Sequence, residues 1–361
     1  MTTTDPTTDQ EAAIEAVLGQ LVTELGATLG VLLTSLGTRS GIWTALDGAG
    51  PMTSAEVAAR VRVAPVLVRE WLRAQAAGGY LTYDPATDSF TLPDATAAAV
   101  VHGPGGPMVE ACISMLCSMA EGYEDFSRAF STGQGYGWHQ RTADHFHGVD
   151  ALTQVAVPPE LISAALGLLP DIATALDAGG SVVDVGCGYG SPTRAIARSH
   201  PQARVLGTDF HDISIMHARE ATRAEGLVNL RFEVIAAADL AERGVDLITF
   251  FDSLHDLGDP RAALVAARAA LSPTGAAVLF EPQAGDEVAE NLHPVGRMYY
   301  AISTLACTPN AVSQRTSTAG EPIGAQAGER VLRELATAAG FGMVRRLDVP
   351  APLNLVLELR P

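Results

Sequence analysis

Apolar residues recur at helical spacing through the first forty residues of the chain. The clearest positions are Ile14, Val17, Leu18, Leu21 and Leu25. The continuation LGVLLTSLG is apolar on several sides, and water solvates such a helix poorly. We therefore expect a helix from about residue 11 to 36 that is buried, with a second subunit as its candidate partner.

The pattern over residues 41–92 predicts two helices followed by a hairpin. GIWTALDG is typical of a short helix that ends at Gly48, and MTSAEVAARV begins with an N-cap at Thr53 or Ser54. The segment APVLVREWLRAQAAGG predicts another helix, which the glycine pair at its end stops. YLTYDPATDSFTL then predicts two strands around the turn DPATD. This order indicates a winged helix.

A winged helix can bind DNA or serve as a structural, dimerising domain. The helix expected to contact DNA carries Arg69 and Arg73, but Glu70 lies between them. The whole chain has a formal net charge of −18 and no lysine, and an acidic surface repels phosphate backbones. These charges favour the structural role and disfavour nucleic-acid binding.

The middle of the chain, residues 106–178, has a mainly helical pattern that predicts a connector contributing to a substrate pocket. It contains GQGYGWHQRTADHFHG, in which flexible glycines alternate with flat aromatic side chains. We expect Tyr136 and Trp138 to act as a gate beside a cofactor. Three histidines follow closely, His139, His145 and His147. Their spacing matches no firm ligand motif, so no metal is expected.

Strand and helix signals alternate from residue 179 to the end of the chain. The strands are SVVDVG, ARVLGTDF, LRFEVIA, VDLITFFDS and AAVLFEP, and the tail predicts a closing hairpin. Such alternation predicts an α/β fold with a mostly parallel, doubly wound sheet. The expected domains are therefore 1–105, 106–178 and 179–361.

Composition places the chain in the reducing cytosol. The N-terminus lacks the charged-then-apolar order of a signal peptide, and no uninterrupted apolar run reaches the roughly 18 residues of a membrane span. The four cysteines form no CxxC pair, which argues against a zinc or redox motif. We expect a soluble cytoplasmic protein without membrane contact.

A glycine-rich turn follows the first strand of the alternating region. In VVDVGCGYGSPT, Gly186, Gly188 and Gly190 allow sharp turns and close approach of a ligand. A dinucleotide fingerprint needs its third glycine at position 191, where Ser191 stands. A pyrophosphate site is therefore disfavoured.

Carboxylates follow the next two strands. Asp209 ends VLGTDF, where it could accept hydrogen bonds from both ribose hydroxyls, and Asp239 in AAADL could reach an adenine amino group. The carboxyl ends of parallel strands lie at one edge of a sheet, so these groups should converge. The order of glycine loop, ribose acid and adenine acid predicts an adenosine site without phosphates.

These segments resemble the class I S-adenosylmethionine (SAM) methyltransferases. VVDVGCGYG is similar to the family's first motif, GTDF to its second, AADL to its third and FFDSLHDL to its fourth. With the winged-helix pattern, the chain resembles small-molecule O-methyltransferases of plants and bacteria, whose N-terminal domain dimerises. The resemblance implies a Rossmann-like catalytic domain with an antiparallel C-terminal hairpin, a homodimer, SAM as cofactor and S-adenosylhomocysteine (SAH) as product.

The expected cofactor contacts combine the resemblance with the residue patterns. They are Asp184, Gly186, Gly188, Gly190, Asp209, Phe210, Ala238, Asp239, Phe251, Asp252, Tyr136 and Trp138. For Asp184 the alternative is a carboxylate that only stabilises the turn.

The resemblance implies that His255, in LHDL, is a general base. The family's motif ends in tryptophan where this chain has Leu257. Two family glutamates that orient the histidine correspond to Glu281 and Glu329. A histidine accepts a proton near neutral pH, and a carboxylate on its other nitrogen fixes the tautomer. The alternatives are a structural histidine, and glutamates in surface ion pairs or helix caps.

The predicted function is methyl transfer to a small-molecule acceptor, at a hydroxyl oxygen. The insertion 291–310, with Met298, Tyr299 and Tyr300, is either an apolar substrate wall or ordinary core. Alternatives are N-, S- or C-methylation on the same fold, a SAM-sensing DNA-binding regulator, or a SAM-dependent rearrangement. The sequence does not identify the acceptor molecule.

Overall fold

A computed structural model describes residues 6–315 and 321–361 of the protein. The chain divides into two compact units, Met1–Ile113 and Ser114–Pro361. The predicted connector, 106–178, therefore contributes mostly to the second unit.

The first helix, α1 (Pro6–Arg39), is longer than its pattern predicts and is attached at one end. Near its C-terminus the indoles of Trp43 and Trp71 donate hydrogen bonds to the carbonyls of Thr34 and Leu33, at 2.9 and 2.7 Å. The rest of α1 exposes large apolar side chains. They are Ile14, Val17, Leu18, Leu21, Val22, Leu25, Leu29, Leu32 and Leu36. The expected burial of α1 does not occur within one copy of the chain.

The rest of the first unit has the winged-helix arrangement that the pattern predicts. Its helices are α2 (Ile42–Leu46), α3 (Ser54–Val61), α4 (Pro65–Ala77) and α5 (Asp94–Val100), and its strands are β1 (Met52–Thr53), β2 (Thr82–Asp84) and β3 (Ser89–Thr91). The strands form a sheet in the order β1-β3-β2. Thr53 caps α3, and Glu56 accepts from the Thr53 backbone N–H at 2.8 Å in return. This fold class is confirmed.

By length and composition, α1 meets the criteria for a membrane-spanning helix over Asp9–Arg39. This finding corrects the expectation that no segment is apolar enough. Core helices of soluble proteins and signal sequences meet the same criteria. The window is not buried within the chain, so its apolar surface requires another explanation.

The second unit alternates helices and strands as predicted. Helices α6 to α10 are Gly105–Glu121, Tyr123–Thr132, Ala143–Ala156, Pro159–Gly167 and Pro170–Asp177. Helices α11 to α16 are Ser191–Ser199, Asp212–Glu225, Pro260–Ala270, Pro294–Ile302, Thr308–Gln314 and Gly328–Ala338. Strands β4 to β10 are Ser181–Val185, Arg204–Asp209, Leu230–Val234, Val245–Phe251, Leu271–Pro282, Met343–Arg346 and Asn354–Arg360. The π-helical turn Ser303–Cys307 joins α14 to α15.

The seven strands form one sheet in the order β6-β5-β4-β7-β8-β10-β9. Strands β4 to β8 pair in parallel, and β10 is antiparallel to both of its neighbours. Apolar side chains are buried on both faces of the sheet, as expected when helices cover both. The strand order reverses between β4 and β7, where ligands bind in open α/β sheets.

Candidate active site

A cavity of about 480 Å³ lies in the second unit, at the carboxyl ends of the parallel strands. The glycine turn after β4, the end of β5 and the end of β7 all contribute to its lining. The predicted site residues in its lining are Trp138, Gly186, Gly188, Asp209, Phe210, Ala238, Asp239, Phe251 and Asp252. Sequence motifs that are far apart in the chain thus converge on one cavity.

The glycine turn needs its glycines for two physical reasons. Gly186 and Gly190 have φ values of 72° and 77°, which side chains disfavour. A Cβ on Gly186 would lie 2.7 Å from Ser253, and one on Gly190 would lie 2.4 Å from Phe232. Gly190 lies outside the described lining and packs against Phe232, so its cofactor contact stays a prediction.

Asp209 fixes the glycine turn while lining the cavity. Its Oδ2 accepts from the Gly188 backbone N–H, and its Oδ1 accepts from the His211 backbone N–H, both at 2.9 Å. Burial raises the pKa of Asp209, and these N–H donors oppose the shift. Each carboxylate oxygen retains a lone pair. The geometry is therefore compatible with hydrogen bonds from a ribose.

Asp184 lies beneath the glycine turn and outside the described lining. Thr193 Oγ1 donates to its Oδ2 at 2.5 Å, and Thr249 Oγ1 donates to its Oδ1 at 3.0 Å. Burial raises the pKa of Asp184 to about 7, although both hydroxyl donors lower it. These partners favour the turn-stabilising alternative; a cofactor contact of Asp184, direct or through water, stays a prediction.

The opposite wall is suited to a flat, polar ring. Phe210 follows β5, and Ala238 and Asp239 belong to a short 3₁₀ turn, Ala237–Asp239, after β6. An aromatic face, a small apolar side chain and a carboxylate together provide stacking and hydrogen-bond acceptance. This combination matches the predicted adenine side of the site.

The two aromatic residues of the predicted gate have different positions. Trp138 lines the cavity, but Tyr136 lies outside the described lining and is buried. The Tyr136 hydroxyl donates to the Gln140 carbonyl at 3.0 Å, and the guanidinium of Arg141 lies over its ring at 4.8 Å. Tyr136 therefore supports the loop, which corrects its expected cofactor contact.

Asp252 is a strained, cavity-lining acid at the end of β7. Its φ of 48° is in the left-handed region that few non-glycine residues adopt. The Asn354 side-chain amide donates to its Oδ1 at 2.8 Å. Burial, followed by the nearby Glu281 carboxylate, raises the pKa of Asp252 to about 7. The adjacent Phe251 also lines the cavity.

His255 is hydrogen-bonded to a carboxylate at one ring nitrogen and lies near a second carboxylate at the other. Its Nδ1 lies 2.6 Å from Glu281 Oε2, and its Nε2 lies 3.5 Å from Asp256 Oδ1. The Leu254 backbone N–H donates to the other Glu281 oxygen at 2.9 Å, which orients that carboxylate. Burial opposes protonation, but Glu281 and Asp256 raise the pKa of His255 well above its usual value.

His255 reaches the cavity through its neighbour. Within the part of the chain that the structure describes, Asp256 lines the cavity and His255 does not. The Cys307 thiol contacts both His255 and Asp256 from the other side. The imidazole is thus close to the cavity but covered by a carboxylate and a thiol.

Glu329 does not join this cluster. At the start of α16 its oxygens pair with Arg333 and Arg346, at 2.5 and 3.3 Å. Two arginines hold the Glu329 carboxylate in an ion-pair network. This arrangement corrects the expectation that Glu329 helps to orient His255. Glu281 lies beside His255, as predicted. Glu329 instead lies in ion pairs, which was the alternative for these glutamates.

The cavity also contains residues that the sequence analysis missed. Phe146, Asp150 and Thr153 line it from one face of α8, at helical spacing. Asn310 and Gln314, one turn apart on α15, both donate to the Asp256 carbonyl at 3.1 Å. The spacing of each group is visible in the sequence, but nothing local indicates that these helices reach the cavity.

The donor set of the cavity fits SAM. A Cβ on Gly188 would meet open space, so this part of the turn leaves room for a ligand. Asp209 and Asp239 offer acceptors for an adenosyl group, and the acids Asp252 and Asp256 suit a positively charged sulfonium. These residues would hold the adenosyl and sulfonium parts at opposite ends of the cavity.

Two family models match the chain. Residues 183–277 match a model described as a methyltransferase domain, and residues 27–102 match an Rv2258c-like winged helix-turn-helix domain. Among curated proteins, trans-aconitate 2-methyltransferase of Variovorax paradoxus is 31% identical over 147 residues. That match covers 40% of this chain and 52% of the relative, so the chain spans about half the length of that relative.

Solved structures of methyltransferases share the fold over nearly the whole chain. Human N-acetylserotonin methyltransferase in complex with SAM has a TM-score of 0.64 at 14% identity, with 100% of this chain and 99% of that chain covered. The mitomycin 7-O-methyltransferase MmcR has a TM-score of 0.62 at 18% identity, with 97% and 99% covered. The chain therefore has a methyltransferase-type domain over residues 183–277 and a winged helix-turn-helix domain over residues 27–102, on a fold that solved methyltransferases share.

Proposed function

We propose that the protein transfers the methyl group of SAM to a hydroxyl oxygen of a small-molecule acceptor, with His255 as general base and SAH as product. The observation that carries this proposal is the 2.6 Å contact between His255 Nδ1 and Glu281 at the cavity's edge. The match to a methyltransferase domain supports the reaction class, and the O-methyltransferase among its structural neighbours supports the acceptor class.

Residues at one end of the cavity would bind SAM, and residues at the other end would accept the proton. Gly186, Gly188, Asp209, Phe210 and Asp239 would hold SAM, which supplies an electrophilic methyl group when it is bound. Positioning of this kind can contribute more to the rate than proton transfer does.

The proton of the acceptor hydroxyl would pass to Nε2 of His255. Glu281 accepts a hydrogen bond from Nδ1–H of His255, so the lone pair of the neutral ring lies on Nε2. The same carboxylate stabilises the imidazolium that forms. His255 must first be neutral, although its carboxylate neighbours raise its pKa. A positive charge in the cavity lowers that pKa, so cofactor binding would prepare the base.

A screen with methyl-labelled SAM tests this proposal. Phenols, carboxylic acids, thiols and amines are offered separately, and the labelled product is analysed by mass spectrometry. We expect label on a phenol or alcohol oxygen, in the wild type and not in His255→Ala. Transfer confined to amines or thiols would overturn the hydroxyl assignment, and unlabelled, rearranged products would overturn methyl transfer.

For its partner we propose a second copy of this chain, which covers the apolar side of α1. The protein would then be a soluble, cytoplasmic homodimer. Leu21→Glu together with Leu25→Glu should shift the mass by light scattering from dimer to monomer, whereas Gln20→Glu on the same helix should not. A monomeric wild type, or partition of the wild type into lipid vesicles, would contradict this partner.

We further propose that the winged helix does not bind nucleic acid. On α4, Glu70 pairs with Arg69 and Arg73 at 3.1 and 3.3 Å, so both cations are partly neutralised. A gel-shift experiment at low salt should show no complex with duplex DNA. A salt-sensitive complex would favour the regulator alternative.

A further inference from the structure

Three side chains with different donor atoms meet beside the cavity. A ring nitrogen of His255, a carboxylate oxygen of Asp256 and the sulfur of Cys307 all lie within 4.8 Å of one another. His255 and Cys307 are 4% and 6% exposed, so the donors are shielded from bulk water. Asp256 also lines the cavity and provides a route to the other two.

Two irregular turns bring these donors together. The 3₁₀ turn Leu254–Asp256 presents His255 and Asp256 side by side, and the π-helical turn Ser303–Cys307 ends at the thiol. The Arg141 guanidinium donates to the Leu305 carbonyl at 2.9 Å and to the Ala306 carbonyl at 3.3 Å. The backbone just before Cys307 is therefore held in place, and π turns are frequent at functional sites.

His255 has, on one ring nitrogen, the kind of carboxylate partner that metal-binding histidines have. A ligating imidazole almost always donates its other ring N–H to a carboxylate or carbonyl, which fixes the tautomer and strengthens the ligand. Glu281 holds that place on Nδ1, and its second oxygen is fixed by the Leu254 N–H. Nε2, on the side of Asp256, is left as the ligating atom.

The local charge also favours a cation. Asp252, Asp256 and Glu281 are three acids around the imidazole of His255, and Arg141 interacts with Asp256 from a distance. A divalent ion bound among them would offset the negative charge of these carboxylates.

We propose that His255, Asp256 and Cys307 form a binding site for a divalent transition-metal ion of the zinc class. One imidazole, one carboxylate and one thiolate are the borderline and soft ligands that Zn²⁺ and Co²⁺ accept, whereas Mg²⁺ and Ca²⁺ prefer oxygen alone. Three protein ligands leave a fourth position for water. This site differs from the expectation of no metal, which considered only the histidines of residues 139–147.

Metal binding would displace protons. The thiol of Cys307 loses its proton, Nε2 of His255 loses any proton that it carries, both atoms form a bond to the ion, and Asp256 binds as the carboxylate. Because protons leave when the ion binds, the affinity should rise with pH. If His255 is the base, as proposed above, the bound ion blocks the lone pair and inhibits methyl transfer.

Cobalt(II) titration of the full chain provides the test. Thiolate ligation of Co²⁺ gives a near-ultraviolet charge-transfer band, and we expect this band to saturate at one equivalent in the wild type. Cys307→Ser should abolish the band and weaken Co²⁺ binding at least about tenfold, whereas Cys117→Ser, at an exposed cysteine, should change neither. Zinc should displace the cobalt and remove the band.

A second set of variants separates this site from other metal contacts. Asp256→Asn should weaken cobalt binding and keep a thiolate band at saturation. His139→Gln should leave the band unchanged, because the cluster of exposed His139, buried His211 and exposed Asp212 contains no thiol. A wild type without the band at millimolar cobalt, or an undiminished band in Cys307→Ser, would overturn the site. The band is independent of turnover, so it remains informative even if methylation at oxygen is disproved.

Discussion

The two ends of the cavity satisfy their buried acids in different ways. Near the glycine turn, the proposed cofactor end, Asp209 accepts from backbone N–H groups, and Asp184 accepts from two threonine hydroxyls. At the other end, where we propose proton transfer, Glu281 and Asp256 face the titratable ring of His255. Backbone N–H groups and threonine hydroxyls do not titrate near neutral pH, and they fix the geometry of the first end. At the second end, the imidazole of His255 can titrate, so the local charge depends on what is bound.

This difference separates binding from chemistry. Loss of a donor or acceptor at the cofactor end should act on affinity, because these groups hold the glycine turn and its ligand. Loss of a partner at the proton-transfer end should act on turnover and on pH dependence. Substitutions at each end test whether the separation holds.

The largest effect is expected at His255. His255→Ala removes the proton acceptor, and general-base catalysis contributes roughly 10²–10⁴-fold. Turnover under saturating substrates should fall by a factor in that range, which steady-state kinetics with an identified acceptor would measure. Turnover within about threefold of the wild type would make His255 a structural histidine.

A smaller effect, on affinity, is expected at Asp209. Hydrogen bonds to a charged group are worth about 1.5–3 kcal/mol, so Asp209→Ala should raise the SAM dissociation constant about 100-fold. Turnover at saturating SAM should change much less. Asp209→Asn keeps one acceptor and controls for collapse of the turn. An unchanged dissociation constant by calorimetry in both variants would refute the ribose assignment.

Glu281→Gln should alter the pH profile. The carboxylate raises the pKa of His255, so its loss lowers that pKa and moves the acid limb of the rate profile to lower pH. The plateau rate should also fall, because the ring loses charge stabilisation. Since the folded pKa of His255 is raised, its stabilising contribution is complete below the ordinary value and lost as pH rises through the folded value. If the acid limb stays at the same pH in the variant, a group other than His255 determines it.

The smallest effect is expected at Glu329. Its partners Arg333 and Arg346 are partly exposed, and such ion pairs contribute about 0–1 kcal/mol. Glu329→Gln should therefore shift the free energy of unfolding by less than about 1 kcal/mol and leave turnover within about twofold. A loss of turnover like that of Glu281→Gln would restore Glu329 to the orienting role.

The sequence predicts best what depends on strand ends. Asp209, Asp239 and Asp252 each follow a strand signal, and parallel strands bring their carboxyl ends to one edge. Glu281 was assigned from the family resemblance, and it lies in β8, whose end is at the same edge. The same local sequence pattern, a buried strand followed by a polar residue, predicts each of the three aspartates.

Contacts made by irregular or distant segments could not be predicted in the same way. Glu329 lies in the first turn of a helix in a plausible motif, but the arginines that pair with it come from α16 and β9. Cys307 lies at the end of a π-helical turn, which the local sequence does not predict. Tyr136 and Trp138 are two residues apart, and Arg141 packs over both rings, yet only Tyr136 is buried.

Proton release on cofactor binding tests the central claim most directly. The claim is that Glu281 and Asp256 raise the pKa of His255, and that a cation in the cavity lowers it. Calorimetric titrations at neutral pH, in buffers with different ionisation enthalpies, measure the protons released by SAM, which carries a sulfonium, and by SAH, which does not. We predict that SAM releases more protons than SAH does, and that His255→Gln abolishes the difference. Equal release by SAM and SAH in the wild type would contradict the account.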